Sequence, residues 1–375
     1  GRVLGGGFSQ TQMTDKIKVA VVGLQFGAEF VPIYRDHPNV SRVAVCDLDS
    51  AKLDAVAGRF GVADRFARLE DVLASDYDAV HLFTPVPLHV EQTLAVLGAG
   101  KHCACAVPAA TDLAGLRQII AAQRQSGRNY MMMETAVYSR EFLYVQDRYA
   151  RGDLGALTFL RGAYYQDLEG PFPGYWLTMP PMHYATHAVA PLLALARTRA
   201  ARVCCFGSGQ LRPDLQRPGG NPFPLQTAIF QLAGTPVAAE VTRSWFQTAR
   251  PYTEAFDVYG DTGGFEWQAL EHEHPLFFTL EPIDPAKRGR PTTAVRVEVP
   301  DRADLLPEAI RSYTRSQGHG GSHPHLVHEF TRSIVEGRRP AIDAIVAADW
   351  TAPGICAHES ALRDGERVDI PDFRR

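Results

Sequence analysis

The chain has 375 residues, of which 45% are apolar and 21% charged, and a formal charge of −4. That length predicts two domains, each with a sizeable core, and the slightly acidic balance gives no electrostatic case for a nucleic-acid partner or an anionic membrane. No apolar run is long enough to span a bilayer, and the six cysteines (Cys46, Cys103, Cys105, Cys204, Cys205, Cys356) show neither Cys-x-x-Cys pairing nor zinc spacing, which predicts buried, reduced thiols in a cytoplasmic protein.

Residues 1–14 are glycine-rich and lack the apolar stretch of a signal peptide. They read as a disordered leader or cloning remnant, with folding starting near Asp15. Ile17–Val22 is a short run of β-branched residues, suited to a strand buried on both faces. Gly23 ends it, Phe26–Tyr34 has helical spacing, and the next apolar run, Val43–Cys46, stops at Asp47, 24 positions after Gly23. Strand, glycine turn, helix, strand, acid is the order that binds a dinucleotide: backbone N–H groups at a helix start hold the pyrophosphate and the acid takes the ribose hydroxyls. The G-x-G-x-x-G/A frame is degenerate here, reading Gly23, Gln25, Ala28 with an additional Gly27. Asp47 favours NAD over NADP, whose 2′-phosphate would meet a like charge.

The alternation continues with helices expected over Ala51–Phe60, Glu70–Ala74, His89–Gly98 and Thr111–Gln125, and strands over Ala79–Phe83, Cys103–Ala106 and Tyr130–Met133. This predicts an α/β fold whose N-terminal part is a Rossmann doubly wound parallel sheet, residues 15–134. Thr84-Pro85 breaks a strand where open α/β sheets bind their ligands. Residues 135–375 predict a C-terminal α+β domain for substrate binding and oligomerisation. It opens with a helix over Glu141–Arg151. Strand-like runs follow at Ala156–Tyr165, Ala201–Gly207, Gln226–Leu232, Val237–Ser244, Thr253–Tyr259, Gly264–Ala269 and Thr293–Val299. Pro180–Arg197 is a helical insertion, Arg212–Pro224 a surface loop, and His325–Glu336 and Asp343–Arg363 closing helices. The alternating strands predict a largely antiparallel open sheet with one exposed face, a natural contact for a homo-oligomer, dimer or tetramer.

These features resemble the Gfo/Idh/MocA group of NAD(P)-dependent oxidoreductases, which act on sugars, cyclitols and glycosides. The resemblance rests on the Rossmann start, on Thr84-Pro85 with His89, on Ala99–His102 (AGKH), and on a later histidine motif. The family's Glu-Lys-Pro is here Ala106-Val107-Pro108, so its catalytic lysine position holds Val107; Lys101 is not that residue. A subgroup, the NAD-dependent glycosidases of the α-N-acetylgalactosaminidase type, is similar at Val107–Ala110, at Met133, Glu134, Tyr138 and Arg140, at Tyr184–His187 and at Asp369–Phe373. The resemblance implies cofactor contacts at Gly23, Gln25, Phe26, Gly27, Asp47, Thr84, Pro85, His89, Val107, Pro108 and Glu134.

Met179–Pro191 (MPPMHYATHAVAP) is the most chemically loaded stretch. On one helix His183 and His187 would face the same way with Tyr184 beside them. Oxidising a secondary alcohol needs a base for the hydroxyl proton, and histidine titrates in the useful range while tyrosine relays. The resemblance places His187 at the family's catalytic histidine and Tyr184 at the subgroup's active-site tyrosine; Ala190 stands where the family has an orienting aspartate. Glu134 is expected at the carboxyl edge of a strand, contacting cofactor or substrate or else pairing with Arg140. Tyr138, Arg140 and His183 are candidate contacts for a carbohydrate or cyclitol substrate. The tract His319–His325 with His328 is readable as a substrate loop, a helix cap or a metal cluster; His323 is the residue selected, and no metal site is expected. Tyr164, Tyr165, Tyr175 and Trp176 suit core packing or stacking on a pyranose. The readings left open are a dehydrogenase, a redox-neutral glycosidase that oxidises, eliminates, hydrates and re-reduces, and a non-catalytic dinucleotide-binding protein.

Overall fold

The computed structural model describes residues 16–170, 172–316 and 318–375; the leader read over residues 1–14 lies outside the described residues. Six strands, β1 (Ile17–Val22), β2 (Val40–Cys46), β3 (Asp64–Phe66), β4 (Ala79–Leu82), β5 (His102–Cys105) and β6 (Tyr130–Met132), form a parallel sheet in the order β3-β2-β1-β4-β5-β6. Val19, Val21, Val80, Leu82, Cys103 and Cys105 are fully buried, which is why their runs are mostly apolar, His81 in β4 excepted: helices cover both faces. The single helix expected over Phe26–Tyr34 is two, Leu24–Gly27 and Val31–Asp36. The chain restarts at Pro32, which suits a first helical turn because it has no N–H to leave unpaired. Edge strand β3 was not anticipated, since Asp-Arg-Phe shows no apolar run.

The remaining strands are β7 (Leu157–Tyr165), β8 (Ala200–Ser208), β9 (Leu225–Leu232), β10 (Ala238–Ser244), β11 (Thr253–Gly260), β12 (Gly263–Glu266), β13 (Leu276–Leu280), β14 (Thr292–Arg296) and β15 (Val368–Asp369). They make one nine-stranded sheet in the order β14-β13-β12-β11-β7-β10-β9-β8-β15. Only the β7–β10 pair is parallel; the other neighbours run antiparallel. β13 and β15 were not anticipated.

Two helices press on the inner face of this sheet and bring it against the first. Thr186–Ala196 lies across β7 at Gly162, where a Cβ would stand 2.2 Å from the Ala188 carbonyl oxygen. Only glycine permits that approach. Ala344–Ala361 packs on β8, and its first N–H donates to Gln123 Oε1 of the parallel-sheet half at 3.0 Å. Just before it, the Ile342 carbonyl accepts from Met132 at the end of β6, 3.1 Å. The second half of the chain is thereby bonded to the carboxyl edge of the parallel sheet, the edge where its loops open. The outer face of the large sheet remains exposed, with Phe206 56% and Ile229 49% accessible.

Candidate active site

At the end of β1 the backbone turns at Gly23 with φ +88°, and a Cβ there would lie 2.8 Å from the Phe83 carbonyl. Gly27 is equally confined, 2.7 Å from the Phe83 ring. Gln25 is exposed and Phe26 half-buried, edge-on to Phe30 and Phe83. Asp47 accepts from the Leu24 N–H at 2.8 Å through one oxygen and from the Asp49 N–H at 2.9 Å through the other. Each oxygen keeps a lone pair, so the carboxylate holds the glycine turn and still has capacity for two ribose hydroxyls. This cradle fits a dinucleotide.

Thr84-Pro85 lies beyond β4 and Val107-Pro108, joined by a cis peptide, beyond β5. His89 ties them together: its Nδ1 lies 2.8 Å from the Pro108 carbonyl and its Nε2 2.9 Å from the Thr84 carbonyl. A ring facing two acceptors must donate from both nitrogens, so His89 is an imidazolium. Burial opposes that charge, but Cys105 and the two carbonyls outweigh it and raise the group to about 9. His89 has no free polar atom for a cofactor; it sets the loops that would line one. Lys101 is buried with its ammonium on the Ser75 and Tyr77 carbonyls, 2.8 and 2.6 Å.

Across the cleft, the inner face of the large sheet carries a polar row. Gln226, Arg243, Tyr164 and Glu254 are successive register partners on β9, β10, β7 and β11. The next row, Ala228, Val241, Gly162 and Phe256, is apolar or bare. Arg243 is fully buried, its guanidinium 3.6 Å from the Tyr164 ring centroid and 4.0 Å from that of Trp245. It donates to the Tyr184 carbonyl at 3.1 Å, fixing the turn that precedes His187. Gln226 accepts from the Met182 N–H at 3.1 Å and holds the other end of that turn.

His187, 5% exposed, projects from the Thr186–Ala196 helix between two carboxylates. Its Nδ1 is 2.5 Å from Glu134 Oε1 and its Nε2 3.8 Å from Glu254 Oε1. Glu134 is completely buried just beyond β6, where it also accepts from the Ala136 N–H at 2.9 Å. The orienting carboxylate missing at Ala190 is thus supplied from the parallel-sheet half. Burial lowers the imidazole, but Glu134 and then Glu254 raise it to about 9. Burial works to raise the Glu254 carboxyl, yet His187 and His319 hold it well below the usual carboxylate range. His187 thus stands as an imidazolium between the side chains of Glu134 and Glu254. Tyr184 lies with its ring centroid 5.8 Å from that of His187 and packs against Trp176 and Trp245. Burial, then the neighbouring Tyr164 and Glu134, keep its phenol protonated.

A cavity of about 390 Å³ opens beside His187, lined among others by Arg140, Tyr252, Glu254, Trp267 and His319. Arg140 donates to the Gly320 carbonyl at 3.4 Å and does not pair with Glu134, which is taken by His187. Three expected contacts lie elsewhere. Tyr138 turns away, its ring stacked over His325 at 6.5 Å and facing a separate cavity. His183 and His187 do not share a helix face: a 3₁₀ turn, Pro181–Tyr184, carries the first, and its ring meets His358 at 5.2 Å. His323 is fully buried and stacked on Phe30 at 4.4 Å, while His319 takes the cavity wall. The histidine tract is dispersed, His328 pairing with His37 at 3.0 Å. Among the described residues no three His, Cys, Asp or Glu side chains converge on a metal position.

Glu254 and Tyr252 were missed, and within the tract read as a substrate loop the residue selected was His323, whereas His319 lines the cavity. Glu254 had a signal: in Thr253–Tyr259 it alternates with Phe256 and Val258, an acid on the buried side of a strand. Arg243 alternates with Ala239 and Val241 in the same way.

Residues 17–134 match the model of an oxidoreductase family with an NAD-binding Rossmann fold, GFO_IDH_MocA. Over 398 aligned positions the chain is 24% identical to a glycosyl hydrolase family 109 protein of Saccharopolyspora erythraea, covering 96% of this chain and 84% of that one. A levoglucosan dehydrogenase solved with NADH and L-sorbose superposes with a TM-score of 0.79 at 17% identity, covering 96% of this chain and 100% of that one. Myo-inositol 2-dehydrogenase of Lactobacillus plantarum gives 0.73 at 17% identity, covering 95% and 100%.

Proposed function

We propose that this chain, an NAD-dependent oxidoreductase of the Gfo/Idh/MocA type, moves hydride between a secondary hydroxyl of a sugar, cyclitol or glycoside and the nicotinamide. The observation that carries the reading is His187, fixed by Glu134 at Nδ1, with its Nε2 at the cavity wall. Gly23–Gly27 and Asp47 would hold the nucleotide, and Thr84-Pro85 with Val107-Pro108 would line the nicotinamide; bound there, NAD supplies the hydride acceptor. Asp47 favours NAD over NADP, because a 2′-phosphate would face a carboxylate already committed to two N–H groups.

His187 Nε2 takes the hydroxyl proton as the carbon loses hydride. The ligand-free ring is an imidazolium, so it must first release a proton. A cationic ring bound nearby disfavours that charge and brings His187 toward its working range. Glu134 keeps the remaining N–H on Nδ1 and so fixes the tautomer. Tyr184 hydrogen-bonds the substrate, and Val107 gives an apolar wall in place of the family's lysine.

A second reading, a redox-neutral glycosidase, is favoured by the name of the Saccharopolyspora relative, whose similarity covers both halves of the chain. Absorbance at 340 nm with NAD and a panel of sugars, cyclitols and glycosides, with substrate loss followed in parallel, separates the two. NADH far above the enzyme concentration supports the dehydrogenase; substrate turnover with NADH at one equivalent or less supports the glycosidase; neither result overturns both. Two further points belong to this reading. The exposed outer face of the large sheet, with Phe206 and Ile229, is the proposed contact of a homo-oligomer. Among the described residues no helix is long and apolar enough to cross a membrane, and all six thiols are unpaired, which supports a reducing, cytoplasmic setting.

A further inference from the structure

A second cavity, of about 370 Å³, lies against the segment that carries Glu134, and its size is that of a small-molecule site. The segment has a side on each cavity. Ala136, Arg140 and Glu141 line the one beside His187, and Val137, Tyr138, Phe142 and Leu143 line the other. Leu193, on the same helix as His187, forms part of the second wall, and so does Ile342, whose carbonyl accepts from the Met132 N–H two residues before Glu134. Leu143, Leu193, Val346 and Trp350 make this cavity apolar, and three charged side chains join them: Arg197, Asp349 and Arg374.

The charges do not cancel within the protein. Asp349 is 6% exposed; its Oδ2 accepts from Arg374 at 2.6 Å, and its buried Oδ1 has no hydrogen-bond partner among the described residues. A buried carboxylate oxygen without a donor is costly. Arg374 is held in place by the C-terminal segment, where β15 pairs with β8 and the Ile370 N–H donates to the Ala201 carbonyl at 2.8 Å. Arg197 ends the Thr186–Ala196 helix at φ 53°, ψ 37°, a left-handed position that glycine usually takes. Its exposed guanidinium has no partner among the described residues. One acceptor and one cation are thus left unanswered on the same cavity. An anion alone would leave Asp349 Oδ1 unpaired, and a cation alone would meet two guanidinium groups. A ligand carrying both charges answers both.

We infer that this second cavity binds an α-amino acid with an apolar side chain, and that its occupation is felt at the Glu134–His187 pair. The ligand's ammonium pairs with Asp349, its carboxylate with Arg197, and its side chain packs against Leu143, Leu193, Val346 and Trp350. Each ionic contact is charge-assisted, and the apolar walls exclude water from the side chain. A ligand seated there presses on Val137 and Tyr138, in the four-residue turn Thr135–Tyr138 that Glu134 caps through the Ala136 N–H at 2.9 Å. Glu134 meets His187 from that turn, so a shift of the turn changes the hold on the imidazole.

Calorimetry on the full chain with L-leucine and L-phenylalanine tests the site, beside isoamylamine, which lacks the carboxylate of leucine, and isocaproate, which lacks its ammonium. One amino acid should bind at one equivalent, with the amine and the acid each weaker by at least about tenfold. Arg197→Gly is the variant of choice, because glycine adopts the left-handed backbone freely and the thermal midpoint should hold or rise; Asp349→Asn is the second. Each should weaken amino-acid binding about tenfold. No binding of either amino acid at millimolar concentration, an amine or acid that binds as tightly as leucine, or an unchanged affinity in Arg197→Gly overturns the site. In ¹⁵N-histidine spectra the His187 signal should move when the wild type is saturated; binding without that movement overturns the link to Glu134. Neither measurement needs turnover, so both results stand apart from the hydride-transfer reading.

Discussion

The two sheets place their chemistry in opposite ways. The parallel sheet is mostly apolar on both faces, His81 in β4 being a buried exception bonded to Tyr34, and the groups facing the cleft, at Gly23, Asp47 and Thr84, lie in the loops beyond its strands. The large sheet carries its polar groups on the face itself, in the row Gln226, Arg243, Tyr164, Glu254, under a turn and a helix that deliver Tyr184 and His187. Loops beyond a buried sheet can approach a large ligand with backbone N–H groups. A buried row of side chains can instead hold charge in a fixed place, provided each member is partnered. On the proposed reading one half binds and the other moves protons, and Glu134, just beyond β6, reaches from the first to the second.

That division is breakable one half at a time. Replacing His187 with Ala should reduce turnover about 1000-fold, while NADH binding, read by fluorescence transfer from tryptophan, stays within about twofold because the nucleotide cradle is untouched; equal loss of both would show that the halves are not separable. Glu134→Gln should reduce turnover about 100-fold, since the amide still bonds Nδ1 but no longer stabilises the cation. Asp47→Ala breaks the other half: NAD affinity should fall about tenfold, near 1.4 kcal/mol, with turnover at saturating NAD little changed, and calorimetry against NAD and NADP checks both the loss and the narrowing of preference.

Stability against pH sharpens the comparison at smaller amplitude. His187 and His89 are raised to about 9 in the fold, so the stability they contribute is complete below about 6.5 and is lost as pH rises through about 9. His183 and His323 are buried neutral and lowered to about 3, and His325 and His358 to about 4, all by burial first. The unfolded chain binds more protons at these positions below about 6.5, so stability must also fall toward acid. Thermal unfolding should therefore be highest near pH ~6.5 and decline on both sides; a flat profile from pH 5 to 9 would contradict these environments.

Much of the first half was legible because its signals are local. Ile17–Val22, Asp47 and the helix His89–Gly98 stand where the residue pattern puts them, since a strand buried on both faces must be continuously apolar and a ligand loop must break it. The exception, Phe26–Tyr34, fails where Pro32 restarts the helix. The second half was legible in outline and obscure at the site. His187 was found, but its carboxylate was sought three residues along the helix and stands 53 residues earlier in the chain. Glu254 was visible only as an acid on the buried side of an alternating strand, and its partner on the histidine tract depends on a left-handed kink at His319 that no periodicity predicts. Local patterns specify elements, whereas this site is made of register and approach between elements distant in sequence.

The most direct test is the protonation of His187 in the cofactor-free protein, followed by NMR of ¹⁵N-labelled histidine from pH 5 to 10, with His187→Gln used to assign its signal. His187 should be an imidazolium at neutral pH that titrates near 9, with the midpoint dropping toward 6.5 in Glu134→Gln. A midpoint at or below 6.5 in the wild type would mean that Glu134 and Glu254 do not hold the cation, and the acid–base centre described here would not stand.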